Sequence, residues 1–396
     1  MSNPPSIAII GGGPAGLRAA EVAAAGGAKV TLFDGKRSVG RKFLVAGKGG
    51  LNLTHGEEFE RFIGRYAGPD QPAGIWRGLI SDFSPIDLRE WAEQLGCETF
   101  QARTGRVYPK ALKAAPLLRA WVARLKSLGV ELKMDHRLAS LVPGKPVTLG
   151  FANGEKCEAD AVVFALGGGS WPQTGSDGGW VSLFQSLGIR CHALQAANCG
   201  WEHPWSQETL ATAEGKPIKN IQVTAADHSV SGELLVTSYG FEGGAIYQLG
   251  RTLRGMAEPA IGIDFKPTFT EEQLVRKMES VRRSFLEEAK VRWKLPEAAA
   301  AILSETAWTD SITLARQVKR CRIPLSGPRP IEEAISSAGG VCWEELDDSL
   351  MIRRFPGCFV AGEMIDWEAP TGGYLMQGCF ATGTRAGRAA AEFVLR

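Results

Sequence analysis

The residues whose types and spacing best fit a chemical role are three glycines and one acid near the start of the chain. Gly11, Gly13 and Gly16 form the pattern G-x-G-x-x-G, and Asp34 follows eighteen residues after the third glycine. The first glycine permits a tight turn, the second lets a pyrophosphate approach the backbone, and the third lets a helix pack close to a strand. An acid at this distance accepts hydrogen bonds from ribose hydroxyls. The spacing predicts an adenine dinucleotide, and Asp34 disfavours a 2′-phosphate.

The segments around these residues follow the order strand, helix, strand. Ser6–Ile10 is a short apolar run typical of a buried parallel strand. Ala15–Ala25 favours helix, and a Gly-Gly pair ends it. Lys29–Phe33 is a second apolar run, closed by the acid. A helix in this position presents free N–H groups and the positive end of its dipole to a phosphate. A plain glycine turn is the alternative interpretation.

Three later segments favour FAD over NAD. Arg41–Thr54 is predicted to be a glycine-rich loop with basic residues, suited to a long ligand, although a solvated loop is the alternative. Asp160–Gly169 and Gly357–Glu363 are apolar runs that end in glycine. They are predicted to be later strands of the same parallel sheet, which the chain re-enters after folding elsewhere. In Asp160–Gly169, the amides of Gly167 and Gly168 are expected near the ligand.

A glycine-rich stretch also precedes the last helical segment. Ala361–Gly387 contains six glycines and runs into an Ala/Arg-rich sequence with helical character. We expect Gly372 and Gly373 to let a helix N-terminus approach a flat ligand, and a side chain at Gly373 to disturb its binding rather than the fold. Gly387, inside that helix and about four turns from the flavin ring, is expected to accept alanine with little change in flavin binding. A glycine-rich loop before a surface helix is the alternative.

Composition bounds the function classes. The chain has 396 residues and a formal net charge of only +2, which gives no electrostatic case for nucleic acid or for a membrane surface. No apolar run reaches the ~18 residues of a membrane span, and the N-terminus does not resemble a signal peptide, so a cytoplasmic location is expected. Eight cysteines without a C-x-x-C pair predict reduced thiols and argue against dithiol chemistry. The histidines show no metal-ligand spacing, so no metal is expected.

Taken together, the motifs resemble those of the BaiN/RdsA-type NAD(P)/FAD-dependent oxidoreductases, a branch of the flavoprotein superfamily with two dinucleotide-binding motifs. The matching stretches, in order, are IIGGGPAGLRAA, GRKFLVAGKGGLNLTHG, VFALGGGSWPQTGSDGGW, GELLVTSYGFEGGAIYQLG, SSAGGV and FVAGEMIDWEAPTGGYLMQGCFATG. Leu51 replaces a cysteine found in many relatives, and Phe241–Ala245 replaces their Ser-Gly-Pro. These departures affect the prediction of the substrate rather than that of the flavin.

The resemblance implies an α/β fold, with a split Rossmann-like FAD-binding domain interrupted by a β-barrel-like domain that carries a small helical subdomain. The expected boundaries are 1–190 and 341–396 for the FAD-binding domain, 191–267 and 326–340 for the inserted β-rich domain, and 268–325 for the helical subdomain. Within the last, Phe269–Thr306 shows helical spacing and is expected to form two helices separated at Pro296.

The resemblance also implies which residues contact the cofactor. Those at the pyrophosphate and the adenosine ribose are Gly11, Gly13, Pro14, Ala15, Gly16, Asp34 and Gly35. Those along the cofactor are Arg41, Lys42, Gly47, Gly49, Gly50, Asn52, Gly362, Glu363 and Asp366, the last three near the ribityl chain and phosphates. Those beside the flavin ring are Gly372, Gly373, Tyr374 and Gln377. No catalytic residue is assigned, although Tyr239, Glu242 and Tyr374 are polar candidates.

The sequence therefore predicts an FAD-dependent oxidoreductase that acts on a small organic substrate, with NAD(P)H as a possible transient co-substrate. Two alternatives stay open: a flavin-dependent tRNA-modifying enzyme and a non-catalytic flavin protein that relays electrons. We expect a small-molecule substrate, no nucleic acid and no membrane as partners. The sequence leaves the oligomeric state open.

Overall fold

The computed structural model describes residues 5–47 and 49–395, which fall into two compact units. Unit one takes its residues from Met1–Gln195 and Ser336–Arg396, and unit two is Ala196–Ile335. Unit two is thus an insertion between two parts of the chain that fold together.

A five-stranded parallel sheet forms the centre of unit one. Its strands are β1 (Ser6–Ile10), β2 (Lys29–Phe33), β6 (Glu131–Lys133), β10 (Ala161–Phe164) and β20 (Cys358–Val360). They lie in the order β20-β10-β1-β2-β6, and all neighbours are parallel. The two apolar runs that end in glycine therefore return to the first βαβ unit, as predicted. The order and direction define a Rossmann-type sheet.

Smaller sheets and helices surround this sheet. The remaining strands of this part of the chain are β3 (Thr54–His55), β4 (Thr99–Gln101), β5 (Arg106–Pro109), β7 (Leu138–Val142), β8 (Val147–Phe151), β9 (Lys156–Ala159), β11 (Cys191–Ala197) and β19 (Ser336–Val341). They form the sheets β3-β5-β4, β7-β8-β9 and β11-β19.

The helices of unit one are α1 (Pro14–Ala25), α2 (Arg41–Ala46), α3 (Phe59–Ile63), α4 (Ile75–Asp82), α5 (Pro85–Gln94), α6 (Ala114–Ser127), α7 (Trp180–Ser186) and α14 (Tyr374–Leu395). The short helix α2 corrects the prediction that Arg41–Thr54 is a loop throughout. Its buried Phe43 anchors it in the core of unit one, which glycine content alone does not indicate.

Helices α1 and α14 approach each other closely at glycines of α14. A Cβ atom at Gly383 would lie 2.4 Å from the carbonyl oxygen of Ala15, and one at Gly387 would lie 2.5 Å from that of Ala19. Real side chains do not reach backbone atoms at such distances, so these glycines set the helix spacing. The expectation that Gly387 accepts alanine is therefore wrong on steric grounds, because the contact is made by a helix near the other end of the chain; its effect on flavin binding stays a prediction.

Unit two contains an antiparallel sheet and a set of helices. The strands are β12 (Trp201–Glu202), β13 (Pro217–Ala225), β14 (His228–Thr237), β15 (Gly240–Glu242), β16 (Ala260–Asp264), β17 (Cys321–Pro324) and β18 (Gly327–Pro328), in the order β17-β16-β13-β14-β15-β12-β18. The helices are α8 (Gln207–Ala213), α9 (Gly244–Arg254), α10 (Glu271–Lys277), α11 (Phe285–Arg292), α12 (Glu297–Ser304) and α13 (Ser311–Lys319).

The segment Phe269–Thr306 forms three helices rather than the two expected. Thr270 caps α10 through a capping box with Gln273, and Pro296 precedes α12 as predicted. The additional break precedes α11, where Ser284 adopts a left-handed conformation with φ of 54°. None of the helices within residues 5–47 and 49–395 is long and apolar enough to cross a membrane.

Candidate cofactor site

A cavity of about 530 Å³ lies in unit one at the carboxyl ends of β1, β2, β10 and β20. Its lining includes the last residue of β1 and the residues directly after the other three strands. Open α/β sheets bind ligands at this edge, and the volume falls within the range of small-molecule and cofactor sites.

The three motif glycines differ in why they are glycines. Gly11 has φ of 111°, and a Cβ atom there would lie 2.3 Å from the carbonyl oxygen of Ala165. A Cβ atom at Gly16 would lie 1.9 Å from the carbonyl oxygen of Gly11. Both are therefore required by the fold. Gly13 has φ of −77° and ψ of 179°, which any residue adopts, and a Cβ atom there would have no neighbour within 4 Å. Protein packing gives no reason for glycine at position 13, where the chain lines the cavity.

Asp34 connects the glycine turn after β1 to the end of β2. Its Oδ2 accepts a hydrogen bond of 2.8 Å from the N–H of Gly12, and its Oδ1 accepts one of 2.8 Å from the N–H of Lys36. Burial raises the pKa of the Asp34 carboxyl, although these two N–H groups lower it. Each carboxylate oxygen has a second lone pair, so the side chain retains acceptor capacity for a ribose hydroxyl in the cavity.

Lys42 and Glu363 form an ion pair in the cavity wall. The Nζ of Lys42 lies 3.1 Å from Oε2 of Glu363 and donates a hydrogen bond of 2.7 Å to Oγ of Ser170. Gly362, before the acid, has φ of 75°, and a Cβ atom there would lie 2.8 Å from the Cβ of Ala15 in α1. The pair, which is neutral overall, therefore lies beside the segment that packs against the first turn of α1.

The cavity brings together about half of the predicted cofactor residues. Those in its lining are Gly13, Pro14, Ala15, Asp34, Gly35, Arg41, Lys42, Gly167, Gly362 and Glu363. Those outside its lining are Gly11, Gly16, Gly47, Gly49, Gly50, Asn52, Gly168, Asp366, Gly372, Gly373, Tyr374 and Gln377. Lys48, within the predicted glycine loop, lies outside the described residues.

Asp366 has partners of its own away from the cavity. The carboxylate is 2% exposed; it lies 2.5 Å from Nδ1 of His192 and accepts a 3.0 Å hydrogen bond from the N–H of Gly339. The structure thus gives this acid a role in joining β19 to the segment after β20.

The start of α14 packs against β3. Gly373 has φ of 102°, and a Cβ atom there would lie 2.5 to 2.6 Å from backbone atoms of Thr54. The expectation that a side chain at Gly373 leaves the fold intact is therefore wrong, because the residue is glycine for steric reasons within the protein. The hydroxyl of Tyr374 donates a 2.6 Å hydrogen bond to Glu57, and its ring stacks on His55 with centroids 5.2 Å apart.

Unpaired buried polar atoms concentrate beside this contact. Among the described residues, six buried side-chain N or O atoms have no hydrogen-bond partner, and four belong to unit one: Oδ1 of Asn52, Oγ1 of Thr54, Nδ1 of His55 and Oε1 of Gln377. Native structures satisfy most such atoms, so a cluster of unpaired ones indicates a polar group that the chain itself does not supply. Asn52 and Gln377 are both predicted cofactor residues with such an unpaired atom, although neither lines the cavity described above.

Sequence reasoning missed several residues of the cavity. His136 and Arg137 follow β6, and Cys379 lies in the second turn of α14. The N–H of the Trp180 indole donates a 2.8 Å hydrogen bond to the carbonyl of Gly167. Burial raises the pKa of the Cys379 thiol to about 12, so this thiol stays protonated. His136 and Arg137 could have been predicted, because they follow a strand of the parallel sheet. The sequence around the other missed residue gives no such indication.

Two polar candidates lie in unit two. The hydroxyl of Tyr239 donates a hydrogen bond to Oε1 of Glu242, and the guanidinium carbon of Arg329 lies 4.3 Å from the centre of the Tyr239 ring. Burial, followed by the hydrogen bond to Glu242, raises the pKa of Tyr239 well above the usual tyrosine value. These contacts give both side chains a role within unit two and assign neither to catalysis.

Comparison with known proteins identifies relatives along nearly the whole chain. The 3-dehydro-bile acid delta(4,6)-reductase of Clostridium scindens is 30% identical over 423 residues, covering 98% of this chain and 99% of that protein. The ribosomal RNA dihydrouridine synthase of Escherichia coli strain K12 is 22% identical, covering 93% and 94% of the two chains. Both agree with the resemblance expected from the motifs.

A solved structure supports the fold. The 3-ketosteroid delta1-dehydrogenase of Sterolibacterium denitrificans, in complex with 1,4-androstadiene-3,17-dione, matches with a TM-score of 0.53, covering 98% of this chain and 99% of that one at 11% identity. The family described as the HI0933-like protein Rossmann domain matches residues 5–389. The chain therefore belongs to the HI0933-like Rossmann-domain family.

Proposed function

We propose that this FAD-dependent oxidoreductase reduces a carbon–carbon double bond conjugated to a carbonyl group, with NAD(P)H as the electron donor. The names of the relatives support this reaction class. A delta(4,6)-reductase removes double bonds from a 3-oxo steroid acid, and dihydrouridine is uridine with two hydrogens added across the double bond of its base. Both names describe the addition of two hydrogens to a double bond conjugated to a carbonyl group.

Gly13 carries the assignment of the cofactor. Its backbone conformation and the free space beyond it would accept any side chain, yet the residue is glycine and faces the cavity. A pyrophosphate that approaches this backbone would explain the choice, because a side chain would then occupy the space of the phosphates. The acceptor capacity of Asp34 and the unpaired atoms of Asn52 and Gln377 fit the ribose and the flavin ends of the same ligand.

The residues of this chain would bind and orient the cofactor. When bound, FAD supplies hydride transfer between NAD(P)H and the substrate. Lys42 and the N-terminus of α1 would offset phosphate charge, and Glu363 would hold the lysine in place. The thiol of Cys379 stays protonated and so would not act as a nucleophile.

We further propose a role for each unit. Unit one is the FAD-binding domain, built from the segments predicted as 1–190 and 341–396. Unit two is an inserted, β-barrel-like domain that carries a helical subdomain with α10 to α13, within the predicted segment 268–325. The last residues of that segment, Cys321–Pro324, belong to β17 of the sheet instead. This sheet begins with β17 and ends with β18, which are consecutive in sequence, and this order supports a curved, nearly closed arrangement.

Two substrate classes fit the reaction. The more similar relative favours a small organic enone. The ribosomal RNA relatives favour a uracil base in RNA, so the sequence-based exclusion of nucleic acid lacks support.

The test begins with the purified protein. We expect it to be yellow, to release FAD on denaturation, and to lose its visible flavin absorbance when NADH or NADPH is added without oxygen. The reduced protein should then be reoxidised either by a 4-en-3-one steroid or by uridine-containing RNA. Bleaching by dithionite alone would instead favour the electron-relay alternative.

A pair of glycine variants tests the cofactor site. Gly13→Val should fold, with a loss of about 1 kcal/mol at the helix N-cap, but bind FAD at least tenfold more weakly. Gly327→Val in β18 is the matched control, since a Cβ atom there also has no neighbour within 4 Å. Equal FAD affinity in the two variants would show that the pyrophosphate does not approach Gly13.

A further inference from the structure

The sheet β3-β5-β4 has one face rich in rings and positive charge. Phe100 pairs with Tyr108 across the strands, and His55 pairs with Arg106. Directly paired residues share a face, as do residues two apart, so all four side chains lie on the same side. The rings of Phe100 and Tyr108 stack with centroids 5.8 Å apart. We call these four residues the ring face.

The opposite side of the sheet is packed against the protein. Thr54 and Val107 are fully buried, and Thr99 is 8% exposed. By contrast, Phe100 is 37% exposed and Arg106 is exposed. Phe100 stacks on Tyr108 and still leaves 37% of its surface exposed, so it would offer a surface on which a base could stack.

The segment that contains the ring face is also strongly basic. Residues 99–130 contain seven Lys or Arg and no Asp or Glu, whereas the other 364 residues hold 38 basic and 43 acidic residues. The near-neutral total therefore conceals a local net charge of +7. Lys110 pairs with Glu98 and Arg124 with Glu21. The other five are Arg103, Arg106, Lys113, Arg119 and Lys126, of which all are exposed and none forms an ion pair among the described residues.

The ring face adjoins two segments that we assign to the flavin. A Cβ atom at Gly372 would lie 3.8 Å from Nε of Arg106, and one at Gly50 would lie 3.7 Å from the ring of Tyr108. A ligand held on this face would therefore lie next to the glycines proposed to contact the cofactor. Arg103 lies in the turn between β4 and β5, and Lys113 precedes α6. Positive charge in this part of the chain is therefore not limited to Arg106.

We propose that the ring face, together with Arg103 and Lys113, binds single-stranded RNA. The exposed ring of Phe100, stacked on the half-buried ring of Tyr108 and flanked by exposed cations, matches a polymer of flat bases on a phosphate backbone. A small carboxylated substrate would need one cation rather than a basic segment. This inference rests on the RNA alternative of the proposed function and assigns it a surface.

The test is binding without turnover. The FAD-loaded full chain is titrated into a labelled, single-stranded RNA of about 16 nucleotides at several salt concentrations. The triple variant Arg103→Gln/Arg106→Gln/Lys113→Gln should bind at least tenfold more weakly at low salt, and its slope of log K against log salt should flatten by about 2. Phe100→Ala should weaken binding about tenfold with an unchanged slope, because it removes stacking and no charge.

A control triple removes the same charge elsewhere. Lys29→Gln/Lys156→Gln/Lys219→Gln changes three exposed lysines outside the basic segment and should retain wild-type RNA affinity. The proposal is overturned if the wild-type protein does not bind RNA at low salt, if both triples lose affinity equally, or if polyglutamate of matched charge binds as tightly as RNA. Anaerobic reduction of FAD by NAD(P)H, measured on the same samples, reports separately on the proposed function.

Discussion

The N–H of Gly12 donates a 2.8 Å hydrogen bond to Oδ2 of Asp34, which fastens the glycine turn after the first strand to the end of the second strand. The other carboxylate oxygen accepts from the N–H of Lys36 at the same distance. The acid that is expected to bind a ribose therefore also shapes the loop that approaches the phosphates.

Asp34→Ala should consequently lower both FAD affinity and stability. Loss of the ribose contact should weaken FAD binding by about 1–3 kcal/mol, and two N–H groups without their charged acceptor should lower the free energy of unfolding by about 2–4 kcal/mol. Calorimetric FAD titration and urea unfolding measure the two effects.

Asp177→Ala is the control for this variant, since Asp177 also lines the cavity but pairs with the exposed Arg137 at 2.9 Å. It should change stability by less than about 1 kcal/mol. If both variants bind FAD like the wild-type protein, Asp34 serves the loop alone.

Gly387→Ala should destabilise the protein by about 1–3 kcal/mol, because the new methyl group forces α1 and α14 apart. Gly250→Ala in α9 is a matched helical control, whose Cβ atom would meet no heavy atom closer than 3.6 Å. There the better helix propensity of alanine should leave stability equal or up to about 1 kcal/mol higher. The midpoints of urea unfolding distinguish the two, and equal midpoints would contradict the close helix contact.

The sequence could predict features that are local along the chain, such as the turn at Gly13, but not contacts between distant segments, such as that of Gly387. The first βαβ unit is local, so the turn, the helix and Asp34 could be placed from spacing alone. The return of β10 and β20 could also be predicted, because apolar runs that end in glycine have few other positions in an α/β sheet. The contact of Gly387 with Ala19 joins residues far apart in sequence, as does that of Gly373 with Thr54, and neither partner shows a pattern that indicates the other.

Gly373→Ala should be more damaging than Gly372→Ala. Both glycines have positive φ values, of 102° and 122°, so alanine at either strains the backbone by about 1–3 kcal/mol. Only at Gly373 would the Cβ atom also collide with the backbone of Thr54, whereas at Gly372 its nearest neighbour is the Tyr374 ring at 3.4 Å. We expect Gly373→Ala to lose at least another 1 kcal/mol or so. Equal unfolding midpoints for the two variants would contradict this packing of α14 on β3.

Glu57 should give the protein an acid-dependent stability near the start of α14. Its carboxylate forms an ion pair with Arg65 and accepts a 2.6 Å hydrogen bond from the hydroxyl of Tyr374. The hydrogen bond from Arg65, more than that from Tyr374, lowers the pKa of Glu57 below its usual value. Since the folded pKa lies below the unfolded one, this stabilisation is complete above the unfolded value of about 4.3 and is lost as the pH falls through the folded value.

Glu57→Gln should therefore lower stability at pH 7 by about 1 kcal/mol or less, because the pair is partly exposed to solvent. The difference between the variant and the wild-type protein should shrink as the pH falls below about 4.3, since the wild-type carboxylate then also becomes neutral. Glu60→Gln is the control: its pair with Arg77 is exposed on both sides, so little change is expected at any pH. Midpoints of urea unfolding, measured from neutral to acidic pH, test this prediction. If the difference between Glu57→Gln and wild type stays constant across that range, the hydrogen bonds of Glu57 rather than its charge stabilise this end of α14.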